Sequence, residues 1–186
     1  MAVEGGVTLG ALPRGASAAV IAAEVGRVLA ALPHDAAAVV AVSGGPDSSA
    51  LALLVRATRP DLRITLAMVR HGLHDDAAEV ASAQRLAAAL LDAPLEVRAG
   101  DVQRSGGGIE AAARAARYRA LREVADEVAA PWLLVGHTAD DQAETVLLRA
   151  ARGTGVDGLG GMAPVAGDVV RPLLRVRRED LRPVLA

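Results

Sequence analysis

The chain contains no cysteine, no lysine and no phenylalanine, and only one tryptophan and one tyrosine. The absence of cysteine excludes disulfides, thiolate metal ligands and persulfide chemistry. The absence of lysine excludes Schiff-base catalysis and the lysine-dependent phosphate loop of ordinary nucleotide hydrolases. Because aromatic side chains are so scarce, a base-stacking platform for single-stranded nucleic acid is nearly excluded as well. The core must therefore be built from aliphatic residues.

The length and apolar content of the chain are those of one ordinary domain. The 186 residues are 52% apolar, which is enough to bury a sizeable core. Twenty arginines face 22 acidic residues, and the net charge of -2 does not predict nucleic-acid binding through bulk charge. No apolar run reaches membrane-spanning length, and the N-terminus carries no secretory signal. We expect a cytoplasmic protein that does not associate with membranes.

Short apolar runs alternate with amphipathic segments, and this order predicts an α/β fold with a parallel twisted sheet covered by helices on both faces. The predicted strands are 37–42, 62–69, 95–98 and 132–135, and the predicted helices are 18–32, 46–58, 75–91, 109–129 and 139–152. A short final strand or a turn is predicted at 172–174. We expect a flexible arm over 1–15, a catalytic domain over 16–175 and the start of a further helix over 176–186.

The segment SGGPDSS (43–49) follows the first predicted strand and opens a helix. Two glycines let the backbone approach an anion, the first N–H groups of the helix point into the turn, and the serine hydroxyls add neutral donors. A plain strand–turn–helix connection capped by serine is the alternative interpretation. The candidate phosphate-binding residues are Ser43, Gly44, Gly45, Pro46, Asp47 and Ser48.

Asp47 is the unexpected member of this loop, because a carboxylate does not help to bind an anion unless a cation lies between them. Its presence therefore points to Mg²⁺ bridging phosphate oxygens. A helix-dipole complement in the first helical turn is the other role that it suits.

A second acidic cluster follows the fourth predicted strand, in GHTADDQAET (136–145). Asp141 and Glu144 are three residues apart and share a helix face at the same sheet edge as the loop, where they would complete a metal site or position a nucleophile. Acidic capping of the helix is the alternative. His137 ends the strand, where contact with a substrate and burial as a core histidine are both reasonable.

Three further residues are candidates for the same edge of the sheet. Arg114 and Arg117 share one helix face, and an arginine directed into the cleft would neutralise charge on a leaving group. A solvated charged face is the alternative. His71 follows the second strand, a usual place for adenine or ribose contacts.

SGGPDS after a strand resembles the signature of the PP-loop ATP pyrophosphatases. The stretches SGGPDSSAL, VRHGLHDDAAEVA, IEAAARAARYRALREVA and GHTADDQAETVLLRAARGTGVDGLGGM, with RPLL beyond them, are more closely similar to the tRNA(Ile)-lysidine synthase family. The resemblance covers about residues 39–182. It implies an adenine nucleotide alpha hydrolase-like fold, with ATP and Mg²⁺ as cofactors.

The resemblance also implies an activity. Such an enzyme adenylates the ring carbonyl oxygen of the wobble cytidine in an isoleucine tRNA, and the side-chain amine of free L-lysine then displaces AMP to give lysidine. By resemblance, Asp47 and Asp141 would hold Mg²⁺, and Glu144 would act near the amine as a base or as its electrostatic partner. Arg117 would stabilise the adenylated intermediate or the leaving AMP, and His137 would line the pocket. A homodimer is left open.

The family normally continues into a helical linker and tRNA-binding modules. This chain ends about where that linker would start, so we expect a catalytic part without them and a mobile loop over 153–161 in the absence of tRNA. Two alternatives are another PP-loop adenylating enzyme of the synthetase or amidotransferase type and a non-catalytic ATP-binding module of the universal-stress type. Thiolation is disfavoured because cysteine is absent. Asp141→Ala separates the remaining cases, because a binding module would tolerate it.

Overall fold

The computed structural model describes residues 11–70, 76–90, 93–100, 109–151, 153 and 160–185. In chain order the elements are α1 (Ala18–Leu29), β1 (Ala37–Val42), α2 (Pro46–Thr58), β2 (Arg63–Arg70), α3 (Ala77–Ala89), β3 (Leu95–Ala99), α4 (Ile109–Glu127), β4 (Trp132–Leu134), α5 (Ala139–Ala151), β5 (Val165–Ala166), β6 (Val169–Val170) and a 3₁₀ helix (Arg178–Val184). The four predicted central strands are confirmed to within one residue at each end, and the five predicted helices to within three.

Within the described ranges the six strands form one sheet in the order β3-β2-β1-β4-β6-β5. Neighbouring strands are parallel from β3 to β6, and only β5 runs antiparallel to its neighbour. The predicted α/β class with a mostly parallel sheet is confirmed. The chain builds β2 and β3 on one side of β1 and then returns to place β4 on the other side. The carboxyl ends of β1 and β4 are therefore adjacent at a topological switch point, where sheets of this kind bind ligands.

Alternation along β1 explains why the sheet has helices on both faces. Ala38, Val40 and Val42 are buried in a cluster with residues of α1, α2 and α3, whereas Ala37 and Val39 are buried on the opposite face with residues of α4. All five are at most 8% exposed. A strand buried on both sides reads as the continuous apolar run AAVVAV, and this run is what the sequence shows.

The end of the sheet differs from the prediction. Residues 172–175 form a turn, so the turn alternative at this place is correct, and a hairpin of β5 and β6 precedes it. The hairpin loop begins at Gly167, whose φ of +60° suits the first central position of a tight β-turn. Strands of two residues carry no detectable alternation, and for that reason the sequence did not reveal them.

The two ends of the described chain meet. The backbone N–H of Leu12 donates to the carbonyl of Arg175 at 2.7 Å, and that of Gly15 donates to Asp180 Oδ1 at 2.9 Å. Residues 1–10 of the predicted arm lie outside the described residues. Within 176–186, where the start of a further helix is predicted, the structure has a 3₁₀ helix that begins at Arg178. None of the helices in the described ranges combines the length and apolar character that crossing a bilayer requires.

Candidate nucleotide and cation site

The loop between β1 and α2 is held by hydrogen bonds of its own. Ser48 Oγ donates to the carbonyl of Gly45 at 3.0 Å and accepts from the backbone N–H of Ser43 at 3.1 Å. Gly44 has a φ of +75°, and Pro46 opens α2, as predicted from its missing N–H. The loop is therefore shaped before any ligand arrives.

The hydroxyls of Ser48 and Ser49 differ from the expectation that they serve as donors to an anion. Ser48 and Ser49 both donate to the carbonyl of Gly45, each at 3.0 Å. Donors to an anion must then come mainly from the backbone. The N–H groups of Asp47 and Ser48 are the first two of α2, and a helix offers no internal partner for its first N–H groups.

Asp141 caps α5 with one of its two carboxylate oxygens. Its Oδ2 accepts from both the backbone N–H and the hydroxyl of Thr138, each at 2.7 Å. Thr138 is completely buried and precedes the first residue of the helix, so Asp141 makes the contact that the acidic member of a capping box makes to the N-cap N–H. The capping alternative is thus correct for Oδ2, and Oδ1 is left for another partner.

Asp47 and Asp141 meet at a single arginine side chain. Arg178 Nε donates to Asp47 Oδ2 at 2.7 Å, and Arg178 Nη2 donates to Asp141 Oδ1 at 3.2 Å. The backbone N–H of Arg178 also donates to Asp140 Oδ2 at 2.8 Å. The predicted juxtaposition of the two carboxylates is present, but the sequence did not reveal Arg178. It lies 131 residues from Asp47, in a basic stretch whose charges look alike.

A cleft of about 370 Å³ opens beside these carboxylates, at the carboxyl ends of β1 and β2. Its apolar lining includes Ala41, Val42, Ala67, Met68 and Val69. The predicted site residues that line the cleft are Ser43, Asp47, Ser48, Arg117, His137 and Asp141.

Other predicted site residues are placed differently. Glu144 is exposed on α5 and is not among the residues that line the cleft. Gly44, Gly45 and Pro46 form the loop without lining the cleft. His71 lies outside the described residues, as does most of the predicted mobile loop over 153–161. The roles of all these residues stay predictions.

His137 is a neutral group inside the cleft wall. Burial, followed by the charges of Arg114 and Arg171, lowers the pKa of His137 to about 4. Its Nδ1 is buried and has no hydrogen-bond partner in the described part of the chain. At neutral pH this side chain is therefore an uncharged donor or acceptor rather than a cation.

Part of the cleft wall is basic. Arg114 and Arg117 of α4 both line the cleft, and desolvation together with the charge of Arg114 lowers the pKa of Arg117. The guanidinium of Arg114 lies 5.2 Å from the centre of the Tyr118 ring, a cation–π distance that fixes its position. Two like charges directed into one cleft favour an anion between them.

The residues present fit a hard divalent cation. Asp47 Oδ1 is buried without a hydrogen-bond partner among the described residues, and carboxylate oxygens are ligands that Mg²⁺ prefers. Elsewhere among the described residues, three potential metal ligands lie within 4.8 Å of one another at the amino end of β1: His34, Asp35 and Asp61. There Asp61 already accepts from Arg59 with both oxygens, at 2.8 and 2.7 Å, so it is poorly suited to bind a metal.

A glycine-rich loop at a helix N-terminus, opposed by carboxylates at the switch point of a parallel sheet, defines a nucleotide-binding α/β domain. A family model described as the PP-loop domain matches residues 18–186. The chain therefore belongs to the PP-loop domain family.

Curated relatives and solved structures agree with this assignment. The chain is 47% identical to a tRNA(Ile)-lysidine synthase of Salinispora tropica, over 88% of this chain and 51% of the relative. The identity is 43% to the synthase of Rhodopseudomonas palustris, over 90% of this chain and 51% of the relative. The fold is similar to that of a U34-tRNA thiolase from Methanococcus maripaludis, with a TM-score of 0.73 at 18% identity over 88% of this chain and 61% of the other. The chain spans about half the length of the curated relatives it matches.

Proposed function

We propose that this chain is the ATP-binding catalytic part of a tRNA(Ile)-lysidine synthase. One observation carries the proposal: Asp47 of the phosphate loop and Asp141 of the second acidic cluster lie within hydrogen-bonding distance of the same guanidinium. The names of the relatives support the particular reaction, because several synthases match this chain at 38–47% identity.

The cleft suits ATP in two parts. The small apolar side chains Ala41 and Ala67 line the cleft beside the ends of β1 and β2, where a flat base finds room and strand backbone groups. The polyphosphate would lie at the N-terminus of α2, where the N–H groups of Asp47 and Ser48 and the helix dipole favour negative charge.

Asp47 Oδ1 and Asp141 Oδ1 are the oxygens that would hold Mg²⁺. When bound, this ion neutralises the phosphate oxygens and so makes pyrophosphate a better leaving group. Glutamine or asparagine would supply neutral oxygens in their place, and the ion would be held much more weakly.

In the first step the carbonyl oxygen at C2 of the wobble cytidine attacks the α-phosphorus of ATP. An O–P bond forms, the α–β phosphoanhydride bond breaks, and pyrophosphate leaves. Arg114 and Arg117 also line the cleft, where their charges would stabilise the anionic adenylate. His137, held neutral, would donate or accept one hydrogen bond in the same pocket without adding charge.

In the second step the side-chain nitrogen of lysine attacks C2. The C–N bond forms, the C–O bond to AMP breaks, and the amine loses a proton to a base. Glu144 is the predicted carboxylate near that amine, and its exposed place on α5 keeps it accessible. Proton acceptor and electrostatic partner of the ammonium both remain proposals for it.

The test uses the 186-residue chain, ATP, Mg²⁺ and a saturating isoleucine anticodon stem-loop with a wobble cytidine. We expect pyrophosphate release without lysine, followed by lysine-dependent AMP release. A stem-loop with a wobble uridine is the matched substrate control, and Asp141→Asn is the matched protein control, since both should release little pyrophosphate. ATP binding without any pyrophosphate release would favour the binding-module alternative. Equal release with both stem-loops would favour another adenylating enzyme.

A further inference from the structure

Arg178 lies at the proposed cation position. Its side chain contacts both carboxylates that would hold Mg²⁺, and its backbone N–H is bound separately to Asp140. The side chain is 55% exposed, so no packing against the core holds it there. Its hydrogen bond to Asp47 raises the pKa of Arg178, so this side chain is a permanent cation.

Only one of the two carboxylate oxygens of Asp141 is outside the helix cap and suited to bind an ion. Oδ2 already accepts two hydrogen bonds from Thr138 in the cap of α5. Oδ1 is the remaining ligand atom, and it accepts from Arg178 Nη2. An ion shared by Asp47 and Asp141 would compete with this contact, because two cations at one oxygen repel each other. The Arg178 Nε contact to Asp47 Oδ2 leaves Asp47 Oδ1 for the ion.

We propose that Arg178 is a displaceable internal counter-ion, which neutralises the Asp47–Asp141 pair when no cation is bound and is displaced from Asp141 Oδ1 by the divalent cation. This inference rests on the proposed function, because it takes the same two carboxylates as the cation site. Without the guanidinium, two carboxylates beside one cleft repel each other. With it, this repulsion is relieved in the absence of a cation, and cation binding acquires a competitor.

The backbone contact determines what happens to the displaced side chain. Because the N–H of Arg178 stays bound to Asp140, the start of the 3₁₀ helix remains beside the cleft while the guanidinium moves. The released positive charge is then still close to the polyphosphate. Arg178 is therefore a positioning residue whose side chain alternates between carboxylates and solvent or substrate.

The experiment measures Mn²⁺ binding to the nucleotide-free chain, with free Mn²⁺ detected by electron paramagnetic resonance at low ionic strength. Removing a competitor held by two partly exposed ion pairs should tighten binding about threefold to tenfold in Arg178→Ala. Arg178→Lys keeps the charge but loses the two-carboxylate fork, so we expect a smaller gain. Arg182→Ala removes one charge from an exposed position of the same 3₁₀ helix and should change binding less than twofold.

Unchanged or weaker Mn²⁺ binding by Arg178→Ala would overturn the proposal. Asp141→Asn and Asp47→Asn separate that result from failure of the proposed function. If both variants bind Mn²⁺ as the unsubstituted chain does, the cation site itself is wrong and the inference fails with it. Arg178→Gln, which keeps the length of the side chain, repeats the measurement should the alanine variant be unstable.

Discussion

Substitution of Gly44 tests the geometry of the phosphate loop most directly. Gly44 has a φ of +75°, and a Cβ placed there would lie 2.5 Å from the backbone oxygen and 2.6 Å from the Cα of Glu79. Both atoms belong to the first turn of α3, whose backbone cannot move without moving the helix. An alanine in the left-handed region costs about 1 kcal/mol, and overpacking against backbone adds about 1–3 kcal/mol. We expect Gly44→Ala to lower the free energy of unfolding by about 2–4 kcal/mol.

Two other glycines separate the two causes. Gly167 has a φ of +60° and nothing within 4 Å of its added Cβ, so Gly167→Ala should show the conformational cost alone, about 1 kcal/mol. Gly45 has a φ of -84°, and the nearest atom to its added Cβ is Ser43 Oγ at 3.4 Å. Gly45→Ala should therefore cost less than about 1 kcal/mol.

The assay is urea unfolding of the three variants and the unsubstituted chain, with comparison of midpoints at equal slope. ATP binding by isothermal titration is measured on the same samples, and we expect Gly44→Ala to weaken it because α3 must move away from the loop. If Gly44→Ala loses no more stability than Gly167→Ala, α3 does not contact the loop as described. If it loses no more than Gly45→Ala, the left-handed backbone of Gly44 is also wrong.

Three further predictions concern single side chains. The pKa of His137 is lower in the folded chain than in the unfolded chain, so the unfolded chain binds the extra proton. The free energy of unfolding should therefore fall by at most about 3 kcal/mol as the pH drops from about 6.5 to 4. Urea midpoints measured against pH should show this loss, and His137→Gln should remove it. Arg59→Ala removes the side-chain donor to the carbonyls of Leu29 and Pro33 and should cost about 2 kcal/mol by urea unfolding, whereas a smaller loss in Arg59→Lys would show that charge alone is partly sufficient. Gln142→Ala removes the 2.7 Å bond from the backbone N–H of Met162, so hydrogen exchange at that amide should accelerate about tenfold, and an unchanged rate would contradict the contact.

The sequence predicted the elements that carry strong periodicity or sharp boundaries. The run Ala37–Val42 is apolar and bounded by turn residues, and the strand begins and ends at those residues. Pro46 marks the start of α2 because its fixed φ suits a first helical turn. Helix α1 ends at Leu29, before the predicted 32, although Leu32 is still buried. Burial continues beyond the helix, so periodicity alone overestimates its length.

The candidate site was predictable where chain order and sheet topology determine it. A parallel sheet brings the residues after β1 and β4 to one edge, and this is sufficient to place Asp47 near Asp141. Glu144 shows the limit of spacing arguments. Three residues advance a helix by about 4.5 Å, and this carries Glu144 along α5 to an exposed position outside the cleft lining.

For Asp141 the sequence allowed two interpretations, helix capping and cation binding, and the structure shows that one side chain can serve both. A carboxylate has two oxygens, and here Oδ2 caps α5 while Oδ1 meets the ion-pair partner of Asp47. The cap immobilises the side chain, so Oδ1 is held in place at no further cost in rotamer entropy. A residue with one acceptor could perform only one of these tasks. Stability and ion binding should therefore respond differently to Asp141→Asn, which can keep the acceptor for the cap but loses the charge, and to Asp141→Ala, which loses both.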